Sequence, residues 1–312
     1  MTTKIGASAP GKLMVSGEYA VLEGAVAVVA SVGVRVHARW VDEATTLPPE
    51  AQKTRELAEQ ALGVIDGALA IDARDLRMDG MKLGLGSSAA ASAAVAGALL
   101  ASHGHDLSRP EVQRRALELA LAGHKAIAPE GSGADVAAAS LGGFVRFRLE
   151  SGKLAEAQTV PFPEALARRV VWTRKEARTS EFVRAVRAYE ASQPAEYARV
   201  RDALHAQAAR FADAIARQDV AEILAAADAY GTAMGVLGEA AKVNILTAEL
   251  ARIADIARAH GGAAKPSGAG GGDVAIAFFP DVARATAFDR ACAAAALTPL
   301  DLTLGAPGVR AD

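Results

Sequence analysis

The segment that most constrains the fold is residues 265–279, with the sequence KPSGAGGGDVAIAFF. Four of the five positions from 268 to 272 are glycine, and glycine weakens both helices and strands. The segment is therefore either a flexible linker or a loop whose backbone closely approaches another group. Because an apolar run typical of a strand follows at once, at 274–279, the sequence favours an ordered loop.

Composition bounds the class of protein. The 312 residues suffice for one large or two medium domains, and 51% of them are apolar, as in ordinary globular proteins. A net charge of −2 and an aromatic share of 4% argue against a nucleic-acid partner, which needs basic and stacking side chains. Cys292 is the only cysteine, which excludes an internal disulfide and a cysteine-cluster metal site.

The sequence also predicts where the protein resides. Residues 1–30 lack the basic start and the apolar core of a signal peptide. The alanine-rich stretch at 89–101 is interrupted by Ser92 and Gly97 and is too weakly apolar for a membrane span. We therefore predict a cytoplasmic protein with no membrane partner, and the sequence leaves open whether it is a monomer or a homodimer.

Strand and helix patterns are interspersed along the chain, which predicts an α+β protein. Alternation at 34–40 predicts a half-buried strand with His37 in solvent. The predicted strands are 34–40, 142–150, 169–173, 274–279 and a short one near 301–304. The predicted helices are about 51–70, 181–192, 195–217, 219–240, 246–260 and 281–297. A boundary near 150–170 divides the chain into an N-terminal domain, 1–160, and a C-terminal domain, 161–312.

A second glycine-rich segment, residues 82–100, has the pattern of an anion site. Gly84 and Gly86 precede Ser87 and Ser88, and an unbroken helix-forming run follows. A serine cap beside glycines leaves backbone N–H groups pointing outward at the positive end of the helix dipole, where a phosphate can bind. The alternative is a plain capped helix after a tight turn. The glycine spacing is neither that of a Walker P-loop nor that of a Rossmann fingerprint.

Two charged residues stand in similar surroundings. Asp135 follows a Gly-Ser-Gly turn at a predicted helix start, where it either satisfies backbone amides or serves a phosphate cleft as base, metal contact or orienting group. Lys12 follows Pro10-Gly11 and leads into an apolar run. A lysine at the edge of a buried strand is costly unless it meets an anion, although an ordinary surface lysine is the alternative.

Together these segments resemble the three ordered motifs of the GHMP small-molecule kinase superfamily. Lys12 with Gly17 and Glu18 is similar to the first motif, residues 84–90 to the second, and residues 267–273 to the third. The resemblance spans nearly the whole chain. It implies an N-terminal α/β domain with a left-handed crossover, a C-terminal ferredoxin-like domain, and a cleft between them that holds ATP and the acceptor.

Within the superfamily the chain is most similar to phosphomevalonate kinases. Tyr19 stands where mevalonate kinases have histidine after Gly-Glu, and Asp273 stands where they usually have another glycine. Three further segments fit the same branch: Lys82 before the second motif, residues 131–140 with His124 upstream, and residues 172–186. Four residues depart from it: Pro129, Arg174, Arg178 and Val274.

The resemblance implies roles for named residues. Lys12 and Asp135 are the predicted catalytic residues, and Ser88 is the predicted Mg²⁺ contact, with Glu18 a weaker metal candidate. The ATP phosphates are predicted to lie on Gly84, Leu85, Gly86, Ser87, Ser88 and Ala89. The predicted substrate-binding residues are Tyr19, Lys82, Ser132, Arg178, Ser267, Gly268, Ala269 and Asp273. Six cations lie in or beside the motifs: Lys12, Lys82, Arg174, Lys175, Arg178 and Lys265, of which Lys175 and Lys265 are expected to be solvent-exposed.

The implied reaction is ATP-dependent phosphorylation of 5-phosphomevalonate to 5-diphosphomevalonate, in isoprenoid precursor synthesis. A phosphate monoester has a second pKa near 6, so the acceptor is already a nucleophile at neutral pH. We therefore expect Asp135 to orient the acceptor or metal, with limited proton abstraction. The alternatives are mevalonate kinase or another GHMP kinase and, from a different class, a non-catalytic ligand sensor of the same fold.

Overall fold

The computed structural model describes residues 3–43, 45–177 and 179–312. The helices and strands of the first half are β1 Ala7–Ser16, β2 Ala27–Val41, α1 Pro49–Leu62, β3 Ala68–Asp72, β4 Arg77–Met78, β5 Met81–Lys82, α2 Ser87–Ser102, α3 Pro110–Ile127, α4 Ala134–Leu141, β6 Phe144–Glu150 and β7 Lys153–Val160. Those of the second half are β8 Ala167–Trp172, α5 Thr179–Ser192, α6 Pro194–Ala216, α7 Val220–Ala240, α8 Ala248–Ala259, β9 Ala263–Ser267, β10 Val274–Phe279, α9 Val282–Ala294, β11 Thr298–Leu300 and β12 Arg310–Ala311.

The first sheet has the strand order β12-β1-β2-β6-β7, with β3 also paired to β2. The long β2 strand pairs antiparallel with β1 along one edge and with β6 and β3 along the other. Helices α1 to α4 pack together beside this sheet. Helix α2 is buried from Ala89 to Ser102, and its alanines and Gly97 permit that close packing because they carry almost no side chain.

The second sheet has the strand order β11-β8-β10-β9, and its named pairs are antiparallel. Helices α5 to α8 lie between β8 and β9 along the chain, and α9 lies between β10 and β11. This succession, β-α-β-β-α-β, is the ferredoxin-like arrangement. The expected α+β class and the ferredoxin-like second domain are therefore confirmed.

The end of the chain returns to the first sheet. β12 pairs with β1, and the buried Arg35 guanidinium donates hydrogen bonds to the carbonyl oxygens of Pro307 and Gly308, at 2.9 and 2.7 Å. His37, expected in solvent, is partly exposed and lies 2.8 Å from an Asp312 carboxylate oxygen. The chain therefore passes from the first sheet to the second between β7 and β8, and its last strand returns to the first sheet. The domain division at 160/161 stays a prediction.

Most predicted helices and strands are present, and two differ. The helix expected over 51–70 ends at Leu62, because Gly63 adopts a φ of 106° and β3 then pairs with β2. The last strand expected near 301–304 lies instead at 298–300. Its pairing with β8 ends where Leu300 meets Val170.

Among the described residues, helix α7 alone has the length and apolar composition to cross a bilayer, and these two properties are weak evidence by themselves. Tyr230, Met234 and Leu237 of α7 are fully buried in a core cluster of the fold. The helix also packs against α6 and β9.

Candidate active site

Lys12 lies where β1 meets the second glycine-rich segment. The pairing of β1 with β2 shifts register between Pro10 and Lys12, a β-bulge that re-aims a side chain. The Lys12 backbone N–H donates to the carbonyl oxygen of Leu85 at 2.8 Å. A Cβ atom at Gly86 would lie only 2.8 Å from Cγ of Lys12, so the lysine side chain passes directly over this glycine.

Helix α2 begins without a side-chain cap. Its N-cap is Gly86, with a φ of 74°, and the helix starts at Ser87. The expected serine cap is therefore wrong, because glycine occupies the left-handed position that precedes the helix. Gly86 has no side chain that could accept from the first N–H groups of α2, so these groups remain available to an anion together with the helix dipole. Ser88 lines the adjoining cleft, with its Oγ 3.4 Å from Nε2 of His124.

The third glycine loop, residues 268–272 between β9 and β10, approaches Lys12 from the second half of the chain. A Cβ atom at Gly268 would lie 4.0 Å from Nζ of Lys12. Two hydrogen bonds hold this loop to the first motif: Tyr19 Oη donates to Ala269 O at 2.5 Å, and Ser267 Oγ donates to Met14 O at 3.0 Å. Lys12 is thus the side chain on which the second and third glycine loops converge.

Asp273 packs against Gly84 of the second glycine-rich segment. A Cβ atom at Gly84 would lie 2.4 Å from Cγ of Asp273, so the carboxyl group packs directly on that glycine. Asp273 Oδ1 accepts a 3.2 Å hydrogen bond from Ala177 N, and its backbone N–H donates to Lys175 O at 2.6 Å. Burial raises the pKa of this carboxyl, while the Ala177 bond and the Lys12 charge lower it. Asp273 therefore ties the third loop to both the second motif and the segment after β8.

A cleft of about 420 Å³ opens beside these loops. Its charged lining residues are Lys12, Glu18, Glu50, Glu130 and Asp135. Asp135 stands in the first turn of α4, and its Oδ1 accepts a 2.9 Å hydrogen bond from Val136 N. The cleft thus presents both of the predicted catalytic residues to one volume, which is within the size range of small-molecule sites.

The structure brings together seven of the predicted site residues as lining of this cleft: Lys12, Tyr19, Ser88, Ser132, Asp135, Gly268 and Ala269. The other residues of the predicted phosphate loop, Gly84, Leu85, Gly86, Ser87 and Ala89, lie in the turn and first residues of α2. Three of the predicted substrate-binding residues are not part of the lining either: Lys82 is exposed on β5, and Ser267 and Asp273 support the third loop. Arg178 lies outside the described residues.

Other lining residues were not predicted. Glu50, at the start of α1, reaches the cleft through the packing of α1 against α3, which no local motif reveals. Glu130 directly precedes the segment 131–140 that carries Asp135. Thr179, Ser180 and Val183 line it from α5. These three belong to the segment 172–186, so its likeness to the family could have identified them.

Lys265 corrects an expectation. It was expected to be exposed, but it is fully buried and its ammonium group donates to Glu18 Oε1. The error arises because β9 is covered by α7 and α8, so a lysine on this strand has no route to solvent. Since Lys265 occupies one oxygen of Glu18, that carboxylate is a poorer metal ligand than the sequence suggested.

The chain resembles known kinases in sequence and in fold. It is 27% identical to the curated phosphomevalonate kinase of Streptomyces sp. (strain CL190), over 86% of this chain and 88% of that protein. The Lin0012 protein of Listeria innocua matches with a TM-score of 0.86 at 22% identity, over 98% of this chain and 99% of that one. Streptococcus pneumoniae phosphomevalonate kinase, in complex with phosphomevalonate and AMPPNP, matches with a TM-score of 0.80 at 20% identity, over 96% and 99%.

Family models match both halves of the chain. The model of the GHMP kinases N terminal domain matches residues 56–143, which include α2 and the glycine turn that precedes it. The model of the GHMP kinases C terminal domain matches residues 211–296, which include the third glycine loop. Together these matches cover more than half of the chain, and their order along the chain is that of the two sheets. The chain belongs to the GHMP kinase family.

Proposed function

We propose that this chain is an ATP-dependent kinase that phosphorylates 5-phosphomevalonate to 5-diphosphomevalonate in the mevalonate pathway. The observation that carries the proposal is the convergence of two glycine loops on Lys12 at the edge of one cleft. The curated Streptomyces relative, which aligns over most of both chains, supports this acceptor.

The phosphate-binding side of the cleft is the start of α2. Uncapped N–H groups and the positive end of the helix dipole favour the charged phosphates of ATP, and Gly84 and Gly86 let them approach the backbone. Lys12 lies beside this loop and beside Gly268, and we assign its ammonium group to offset the charge of the transferring phosphoryl group. Such electrostatic stabilisation is the main contribution a protein makes to phosphoryl transfer.

The donor set suits Mg²⁺ bound largely through ATP. The described residues include no group of three histidine, cysteine or carboxylate side chains arranged to hold a metal. Magnesium commonly keeps several waters and binds through substrate phosphates with one or two protein oxygens. We assign the hydroxyl of Ser88, which lines the cleft, as such an oxygen. When bound, the ion would supply positive charge that offsets the negative charge of the ATP phosphates.

The acceptor would lie between α4 and the third loop. Tyr19, Ser132, Gly268 and Ala269 line this part of the cleft, and we assign them to acceptor binding together with Arg178. Ser267 and Asp273 would support the acceptor loop, and a role for Lys82 stays a prediction from the sequence. Because a phosphate acceptor needs little deprotonation near neutral pH, Asp135 would orient it for in-line attack.

Coupled ADP release tests the proposal. With ATP·Mg²⁺, we expect turnover with 5-phosphomevalonate and little with mevalonate. Faster turnover with mevalonate would identify a mevalonate kinase instead. Intact ATP binding without phosphoryl transfer to any acceptor of the family would identify a ligand sensor.

A further inference from the structure

The buried pair formed by Lys265 and Glu18 joins the two halves of the molecule. The Lys265 and Glu18 side chains are 0% and 1% exposed. The Lys265 ammonium group also donates to Pro266 O at 2.7 Å and lies 5.6 Å from the ring centroid of Tyr230. Tyr230 in turn donates its hydroxyl hydrogen to Glu18 O at 2.8 Å. Glu18 is thus held at both its side chain and its backbone by residues of the second half.

This pair is poorly arranged for stability alone. Burying a charge is costly, and burial lowers the pKa of Lys265 while Glu18 opposes that shift. Glu18 Oε2 is buried without a hydrogen-bond partner among the described residues. Apolar side chains of similar volume often match or exceed the stability of such a partly satisfied ion pair. Its value to the molecule therefore lies in the geometry that it enforces.

That geometry concerns the third glycine loop. Lys265 lies on β9, which leads directly into the loop at 268–272, and Glu18 lies in the turn that follows β1. The pair runs beside the two other links between these segments, Tyr19 to Ala269 and Ser267 to Met14. All three flank the place where Gly268 approaches Lys12.

We propose that Lys265 is a positioning residue, which acts through Glu18 to hold the third glycine loop in its position next to Lys12. The inference rests on the proposed function, since it holds that this position of the loop serves phosphoryl transfer onto the acceptor. It also assigns Glu18 to this link instead of to the metal.

The double variant Glu18→Met/Lys265→Met tests the proposal, because it replaces both charged side chains with apolar ones of similar volume. We expect a melting temperature equal to or above that of the wild type. We expect kcat/KM for the acceptor to fall about 10²-fold, as small misplacements of reacting groups do, while the Kd for AMPPNP changes less than threefold. Amide hydrogen exchange should become faster in residues 17–22 and 266–272.

The matched control is Arg169→Met/Asp289→Asn. This pair joins β8 to α9 at 2.6 Å in the same half of the molecule, and Asp289 Oδ1 also lacks a partner among the described residues. Neither residue lines the cleft. We expect this control to leave kcat/KM and exchange in residues 266–272 unchanged.

A second variant keeps the test decisive if the double variant does not fold. Glu18→Gln leaves an oxygen for Lys265 but no counter-charge, so we expect about a tenfold loss in kcat/KM and faster exchange at 266–272. Unchanged exchange and kcat/KM within threefold of wild type, in whichever variant folds, would overturn the proposal. If wild-type protein transferred no phosphate, the proposed function would fail, whereas the exchange measurement would still decide whether Lys265 positions the loop.

Discussion

At the scale of the residue, Lys12 is the side chain on which the account depends. Replacing it with methionine keeps the apolar stem that packs over Gly86 but removes the ammonium group, which we propose offsets the charge of the transferring phosphate. We expect Lys12→Met to lower kcat about 10³-fold, a typical cost of removing one charge-stabilising donor. Steady-state kinetics check this, with Lys53→Met on α1 as control, since the ion pair that Lys53 makes within the described part of the chain is with Glu56 in the same helix. Equal, small effects in both variants would contradict the role of Lys12.

Asp135 gives a second prediction at this scale. If it orients the acceptor, Asp135→Asn keeps the size of the side chain and should lower kcat by about 10- to 10²-fold. A general base contributes up to about 10⁴-fold and must be deprotonated to act, so its loss would remove an acid limb from the pH profile of kcat. A loss near 10⁴-fold together with disappearance of that limb would show proton abstraction instead.

Local sequence identified some of these residues and not others. Lys12, Ser88 and Asp135 stand beside glycines in recognisable motifs, so their positions in the cleft could be anticipated. Lys265 could not, because its burial depends on α7 and α8 covering β9. The bracing contact of Asp273 with Gly84 is likewise a meeting of segments almost 190 positions apart, which no local pattern encodes.

At the scale of the element, the turn that starts α2 makes its own prediction. Gly84 has a φ of 74°, and a Cβ atom there would overlap the Asp273 carboxyl group. Gly84→Ala should therefore raise the Kd for ATP at least tenfold, measured by calorimetry. Gly152→Ala is the control, because Gly152 has a φ of 73° with nothing within 4 Å of the added carbon. It should cost about 1 kcal/mol of stability and leave the Kd unchanged. Equal values of Kd in both variants would show that the loop tolerates displacement.

Elements with strong periodicity could be predicted closely. The strand expected at 274–279 is β10, and the four long helices expected over 181–260 are α5 to α8, within about three residues at each end. The errors lie where pairing between strands decides the outcome. β3 forms because it pairs with β2, and the last short strand lies at 298–300 because β8 is its partner. A local window does not contain those partners.

At the scale of the whole molecule, Arg35 ties the chain end to the first sheet. Its guanidinium donates to Ser8 O, Ser8 Oγ, Pro307 O and Gly308 O. Burial lowers the pKa of this group to about 10, so it stays charged at neutral pH. Arg35→Met should lower the free energy of unfolding by about 3 kcal/mol, because buried carbonyl groups would lose their donors.

Urea unfolding measures this change. The control is Arg39→Met on the same strand, whose exposed side chain lies 3.8 Å from Asp72, and we expect a change below about 0.5 kcal/mol. A similar loss for both variants would mean that Arg35 does not hold the chain end.

Under the proposed function, phosphoryl transfer depends on both halves of the molecule, since residues 84–89 lie in one half and residues 268–272 in the other. Cytoplasmic location, a monomeric or homodimeric state and the lack of nucleic-acid and membrane partners stay predictions from the sequence. The fold alone does not determine the acceptor, because proteins that share it are found in complex with different small molecules.

The most direct test of the central claim is ³¹P NMR of reactions with ATP·Mg²⁺ and either 5-phosphomevalonate or mevalonate. We predict that the monoester signal of 5-phosphomevalonate is replaced by two coupled signals of a new diphosphate. Mevalonate should yield no new monoester, and Lys12→Met should leave the 5-phosphomevalonate signal in place. A monoester formed from mevalonate, with 5-phosphomevalonate unchanged, would contradict the account.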